Sequence, residues 1–314
     1  MTSPPLISWL GALFARVKRA RFVFWVMDLN PDEALAAGWL RPGSWTTRGL
    51  QAFLNYSLHR ADAIVALDRF MAKRIAEKCI ASDKITVLPP WSHDHVVNYD
   101  AEGRRRFRTD HRLAGKFVVM YSGNHSPCHP LTTLMEAARR LSERRDIMFC
   151  FIGGGSEFEA VRRFSQHHGL ENIATLPYQP LDELAASLSS ADLHVVIMGD
   201  AFVGIVHPCK VYNIRRLDIP YLYIGPTESH ITEMRPTFTA THGDIDAVVR
   251  HIEAAADAEP MKLSRSTEIP RDTQVDLVAK MVALLEHPFA GTRNRPTIVR
   301  PLEPREQSRV FERF

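Results

Sequence analysis

The segment Val206-His207-Pro208-Cys209-Lys210-Val211-Tyr212-Asn213-Ile214 holds the residues best suited to chemistry on an anion. Apolar residues 193–198 precede it, as for a strand, followed by a glycine-bounded loop at 199–204. The segment runs into a helix that must stop before Ile219-Pro220, and a second apolar strand is expected at 221–225. Such a βαβ unit leaves the first N–H groups of its helix unpaired at the positive end of the helix dipole, which favours an anionic ligand. Lys210 adds a full positive charge at that place.

Four further loops carry polar or glycine residues directly after apolar runs. They are Asp28-Leu29-Asn30-Pro31-Asp32, Ser122-Gly123-Asn124-His125-Ser126-Pro127-Cys128-His129, Gly153-Gly154-Gly155-Ser156 and Leu176-Pro177-Tyr178-Gln179-Pro180. In a doubly wound sheet such loops converge on one edge, where a ligand binds. Glycine there lets backbone N–H groups approach a diphosphate. None of the loops matches the phosphate-loop pattern of ATPases or a complete G-x-G-x-x-G, so neither an ATPase nor a nicotinamide enzyme is expected. Asp28 reads either as a cap at a strand end or as a carboxylate that orients an acceptor hydroxyl or takes its proton. Cys128-His129 and His207-x-Cys209 are of zinc-ligand type, but adjacent ligands fit one tetrahedron poorly, and no metal is expected.

The elements that must position these groups alternate along the chain. Strands are expected at 22–27, 63–67, 85–88, 117–121, 147–152, 173–176, 193–198 and 221–225. Helical apolar spacing marks 4–20, 50–61, 69–78, 131–141, 158–169, 181–188, 245–256 and 275–285. This alternation means an α/β chain with parallel sheets covered by helices. A chain of 314 residues has room for two domains. Residues 92–115, polar and without apolar periodicity, read as a linker. The expected division is 1–110, 111–288 and a basic, Pro-rich, poorly ordered tail at 289–314.

Four unpaired cysteines and no signal peptide favour a reducing cytoplasm, and no apolar run is long enough to span a bilayer. The net charge of +3 is small, and no nucleic-acid partner is expected. Basic clusters at Arg16-Val17-Lys18-Arg19, at Arg104-Arg105-Arg106 and along 293–313 are either solvated surface or contacts to an anionic surface such as lipid headgroups. Residues 4–20 form an amphipathic helix, either packed on a sheet or lying on a membrane with Trp9 and Phe14 as anchors.

Several stretches together resemble the GT-B glycosyltransferases of family 4, especially their bacterial exopolysaccharide and cell-envelope branch. The first runs from Asp28-Leu29-Asn30-Pro31-Asp32 through Arg60-Ala61-Asp62-Ala63-Ile64-Val65 to Val87-Leu88-Pro89-Pro90-Trp91. Next come Tyr121-Ser122-Gly123-Asn124 and Phe151-Ile152-Gly153-Gly154-Gly155-Ser156-Glu157. The last runs from Ser190-Ala191-Asp192 through Pro208-Cys209-Lys210 to Ile219-Pro220 and Gly243-Asp244, so the resemblance covers residues 3–285 in family order. It implies two Rossmann-like domains and transfer of a sugar from a nucleotide-sugar, with retention and without cofactor or bound metal. The C-terminal domain would hold the donor, and the N-terminal domain a lipid-linked or glycan acceptor, at the inner face of the cytoplasmic membrane.

Carried over residue by residue, the resemblance places Asn124 and His129 where many relatives have arginine and lysine. Phosphate charge is then expected from Lys210 and His125, helped by the amides of residues 204–206 and by Gly123 and Gly154, with His207 beside the phosphates. Ile205 and Asn213 stand where relatives carry glutamates, which leaves Asn213 to bond a ribose hydroxyl. Tyr178 is expected to contact the nucleobase. The family's first βα units precede the match at Ser3-Pro4-Pro5, so the N-terminal domain reads as truncated, with one sheet edge bare. A mis-set start, a split enzyme completed by a partner chain, or a decayed relative would each account for this. The alternative function is therefore a non-catalytic or split-enzyme subunit that binds nucleotide-sugar.

Overall fold

The computed structural model describes residues 6–90, 97–258 and 274–286, and the strand pairs within it are all parallel. The N-terminal elements are α1 (Ile7–Lys18), β1 (Val23–Trp25), α2 (Asp32–Ala36), α3 (Trp45–Arg60), β2 (Ala63–Ala66), α4 (Arg69–Ala76) and β3 (Ile85–Val87). Their strands make a three-stranded sheet in the order β1-β2-β3. Next come α5 (Ala101–Asp110), β4 (Phe117–Asn124), α6 (Thr132–Arg140), β5 (Ile147–Gly154), α7 (Phe158–His167), β6 (Ile173–Leu176), α8 (Leu184–Ser189) and β7 (Leu193–Ile197). The series ends with α9 (Lys210–Arg216), β8 (Tyr221–Ile224), α10 (His230–Glu233), β9 (Phe238–Ala240), α11 (Ile245–Ala256) and α12 (Gln274–Glu286). The second sheet has six strands in the order β6-β5-β4-β7-β8-β9. The order reverses between β4 and β7, which is where a doubly wound sheet opens its ligand crevice.

The α/β class expected from the alternation is therefore the one observed. Strands β2, β7 and β8 are buried along their whole length, because helices cover both faces of a parallel sheet. In β4 the side chains divide by the strand's period of two. Val119 and Tyr121 join Phe149, Phe151 and Leu134 on one face, while Val118 and Met120 join Phe107, Cys150 and Leu188 on the other. Each large apolar side chain buried this way contributes about 1.5–3 kcal/mol. A third cluster spans the two sheets, packing Phe24, Leu58 and Ile64 with Val196, Met198, Ile205 and Tyr221. The described residues up to 278 hold together as one compact unit, and those from 279 onward, at the end of α12, belong to another. The tail expected at 289–314 lies outside the described residues.

Two expectations are corrected. Helix α5 occupies the stretch read as a linker, capped by Asp100, whose carboxylate accepts the Gly103 N–H at 2.8 Å. Only Phe107 supplies it with a large buried apolar side chain, so apolar periodicity could not reveal it. Arginine contacts hold it instead: Arg104 donates to the carbonyls of Ser189 and Ala191 at 2.6 Å and to Asp192 at 2.5 Å. Arg108 pairs with the same carboxylate, and Arg106 pairs with Glu183. Arg104 and Arg106 are thus engaged within the fold. Helix α1, for its part, packs on α3 through Trp9 and Phe53, whose rings lie 5.0 Å apart. Trp9 is therefore an internal contact, while Phe14 and Val17 stand 64% and 72% exposed.

Candidate functional site

Strands β4 and β5 stay paired to their ends, with Gly123 opposite Gly153 and Asn124 opposite Gly154. Lys210, the first residue of α9, reaches this edge from across the β4–β7 reversal. Gly123 adopts φ 136°, and a Cβ on it would lie 2.9 Å from the Lys210 ammonium, so only glycine lets the lysine lie against the strand end. The ammonium sits 3.7 Å from the centre of the Tyr121 ring. It is enclosed and has no hydrogen-bond partner. Burial pushes the Lys210 pKa down to about 7, because a desolvated cation without a counter-charge is costly.

The neighbouring histidines do not supply charge, which corrects the expectation for His125. Its Nδ1 lies 2.9 Å from the Gly123 carbonyl oxygen, and its backbone N–H donates to the Gly154 carbonyl at 2.8 Å. The ring is boxed edge-on by Tyr121 at 5.0 Å and Phe158 at 4.8 Å. Burial pushes His125 down to about 4, so it is neutral at physiological pH and shapes the loop. His129 is placed likewise, with Nδ1 2.7 Å from the Ile197 carbonyl oxygen. Burial first, and the Lys210 charge after it, push it down to about 3. Asn124 is exposed at the strand end. Tyr178 is 58% exposed and donates its hydroxyl to the Gly154 carbonyl at 3.3 Å. Asn213 lies one turn beyond Lys210, half-buried.

The loop leading to His207 differs from its expected role. Its backbone is held by the three-stranded half. The Arg74 Nε donates to the Val203 carbonyl at 2.5 Å, and the Leu29 N–H to that of Ile205 at 3.0 Å. Gly204, at φ 70°, presses on α4, where a Cβ would lie 2.6 Å from the Phe70 carbonyl oxygen. The amides of Ile205 and Val206 already donate to the Phe202 carbonyl, at 2.9 and 3.2 Å. Gly204 and Ile205 therefore join the two halves, and the amides of Ile205 and Val206 are not free for a phosphate.

His207 is buried rather than lying open beside the loop. Its Nδ1 is 2.7 Å from the Asp68 Oδ2 and its Nε2 is 2.9 Å from the Tyr212 hydroxyl. The His230 ring stacks on it at 3.8 Å and 14°. Asp68, His207 and His230 each bring a ligand-type atom within 4.8 Å of the others, the one such group found among the described residues. Near-parallel stacked rings keep their in-plane lone pairs from converging on one ion, so the arrangement is poor for a tetrahedral metal. The Cys128 thiol donates to Glu33 at 3.6 Å instead of joining His207 and Cys209.

Asp28 follows β1 in the three-stranded half. Burial first, and Glu33 after it, push its carboxyl up to about 6. Burial likewise pushes the Cys209 thiol up to about 11, with the Asp28 charge as the next cause, which places that carboxylate near the residue before Lys210. Asp28 also lines a cavity of about 210 Å³ whose walls include Phe24, Trp39, Leu50, Phe53 and Leu54.

Residues 103–207, from α5 to the loop that precedes Lys210, match the family of group 1 glycosyl transferases. The chain superposes on Anabaena HepE, solved in complex with UDP and glucose, with TM-score 0.72 at 14% identity, over 88% of this chain and 74% of that one. The fold is GT-B. WaaG, a glycosyltransferase involved in lipopolysaccharide biosynthesis, superposes with TM-score 0.60 at 13% identity, over 77% of this chain and 67% of its own. WcaI of Escherichia coli K12, named for colanic acid biosynthesis, is 29% identical over 208 residues, 64% of this chain and 50% of WcaI. WbjE of Pseudomonas aeruginosa, named as a glycosyltransferase, is 25% identical over 237 residues, 74% of this chain and 58% of WbjE. The chain thus spans about half the length of the curated relatives it matches.

On this GT-B frame the crevice contains residues that sequence reasoning passed over. Asp68 is legible as a helix cap before residues 69–76, but its bond to His207, 139 positions away, is not. Glu33 and His230 carry no local pattern at all, and Tyr212 lies in the 206–214 segment with no role read for it.

Proposed function

We propose that the chain transfers a sugar, with retention, from a nucleotide-sugar to a lipid-linked or glycan acceptor in exopolysaccharide or cell-envelope assembly. The observation that carries this reading is the enclosed, unpartnered Lys210 ammonium lying against Gly123 at the β4–β7 reversal. A donor diphosphate along Gly123, Asn124 and Gly154 would give that cation its missing counter-charge. As the glycosidic bond breaks, negative charge develops on the leaving diphosphate, and a fixed cation in a dry site stabilises it. Lys210 fills the role that a metal ion would otherwise serve. In this reading Tyr178 lies against the nucleobase and Asn213 bonds a ribose hydroxyl. Asp28, ionised at neutral pH, orients the acceptor hydroxyl from the opposite wall. The group 1 match across residues 103–207 supports the donor side, and the complexes of HepE with UDP agree with it.

Among the described residues no helix is long and apolar enough to cross a membrane. The exposed Phe14 and Val17 beside Arg16, Lys18 and Arg19 give α1 the character of a surface helix for anionic lipid at the inner face of the membrane. The small three-stranded sheet favours a second reading, in which the chain binds nucleotide-sugar but transfers only with a partner chain. The melting temperature with UDP-, GDP- and dTDP-sugars tests the donor site, since a ligand held by the native state raises it. One of the three is expected to raise it in the wild type and not in Lys210→Met. No shift with any of them defeats both readings. A shift without transfer favours the second.

A further inference from the structure

We infer that Asp68 is a positioning residue for the donor site, reaching from the three-stranded half to fix the turn that carries Lys210. The inference rests on the donor-site reading and extends it to a residue that touches no substrate.

The geometry begins with His207, three residues before Lys210. Its ring is held at both nitrogens, Nδ1 by the Asp68 carboxylate at 2.7 Å and Nε2 by the Tyr212 hydroxyl at 2.9 Å. The carboxylate accepts, so Nδ1 carries the proton, and Nε2 is left to accept from Tyr212. Tyr212 belongs to the first turn of α9, the turn that Lys210 opens. The chain from His207 to Tyr212 is thereby closed into a loop anchored on one buried carboxylate. Asp68 is itself fixed: its Oδ1 accepts the Met71 N–H at 2.8 Å as the cap of α4, which leaves Oδ2 for His207, with His230 Nδ1 3.4 Å from the same oxygen. His230 stacks against the His207 ring.

The same corner of α4 grips the loop at further points. Gly204 presses on Phe70, and Arg74 holds Val203. None of these other contacts reaches beyond Val206 toward Lys210. The Asp68–His207–Tyr212 relay is the part that connects the joint between the halves to the lysine. A shift of about 1 Å takes a charged group out of hydrogen-bond reach of a diphosphate oxygen.

The test uses Asp68→Asn and Asp68→Ser, since both replacements remain good helix caps and keep α4. If asparagine keeps its oxygen on Met71, its amide N–H₂ faces His207 Nδ1. The histidine proton must then move to Nε2. Serine caps the helix but is too short to reach His207. Two quantities are read well below the melting temperature: the His207 tautomer from imidazole nitrogen shifts, and the dissociation constants of UDP, GDP and dTDP. His207 is expected to be protonated on Nδ1 in the wild type and on Nε2 in Asp68→Asn. The nucleotide that binds the wild type is expected to bind both variants about tenfold more weakly. A merely structural role would lower the melting temperature and leave the affinity of the folded protein unchanged. Unchanged affinity in both variants overturns the inference while the donor-site reading stands. Failure of the wild type to bind any of the three overturns both. One equivalent of tightly held zinc, lost in His230→Ala, also overturns it, because a metal would then hold the histidines.

Discussion

Two charged groups have pKa values displaced toward neutrality by the same cause, burial, in opposite directions. Asp28 is raised to about 6 and Lys210 is lowered to about 7. The folded chain binds a proton at Asp28 more readily than the unfolded chain does. That contribution to stability is present at low pH and is lost as pH rises through about 6. For catalysis the sign is reversed, because only the ionised carboxylate can orient the acceptor hydroxyl by accepting its hydrogen bond. Transfer is therefore expected to fall on the acid side of about pH 6, about tenfold per pH unit. Asp28→Asn should lower the rate about 10²-fold or more and abolish that acid limb. A rate profile across pH 5 to 8 for both proteins checks this, and a limb that survives in the variant would remove Asp28 from the reaction.

At the scale of elements, what the sequence revealed follows from how each element is stabilised. Strands β2 and β8 announce themselves because burial on both faces demands unbroken apolar runs such as Ala63-Ile64-Val65-Ala66, and β7 keeps that character around the buried His194. Helix α5 is silent because arginine contacts to Asp192 and to backbone carbonyls hold it, and such contacts leave no periodic signature. The site shows the same division. That Gly123, Gly154 and Lys210 come to one sheet edge was legible from loop placement after strands. The burial of His125, and the joining role of Gly204 and Ile205, depend on packing between segments far apart in sequence. Helix α1 was readable as amphipathic, but which of its aromatics faces outward was fixed by Phe53, which takes Trp9. Its outer side carries Phe14 and Val17 beside three cationic residues. Replacing both apolar residues with serine should weaken binding to phosphatidylglycerol vesicles about tenfold or more, given the area each exposes. Co-sedimentation that is unchanged in the double variant, or absent in the wild type, would take the membrane role from α1.

For the molecule as a whole, the two sheets share a core cluster and a stitched loop at residues 203–207. The crevice at the β4–β7 reversal is thus built into the packing of the described residues up to 278. The central claim is that a nucleoside diphosphate enters this crevice and supplies the partner that the Lys210 ammonium lacks. Because burial holds free Lys210 near pKa 7, the residue is mostly neutral at pH 8 and must regain its proton when the diphosphate arrives. The decisive measurement is calorimetric titration of UDP, GDP and dTDP at pH 8 in two buffers of different ionisation heat. One nucleotide should bind with uptake of close to one proton, and Lys210→Met should lose both the uptake and at least about tenfold in affinity. Binding that takes up no proton, or that survives unchanged in Lys210→Met, would contradict the account.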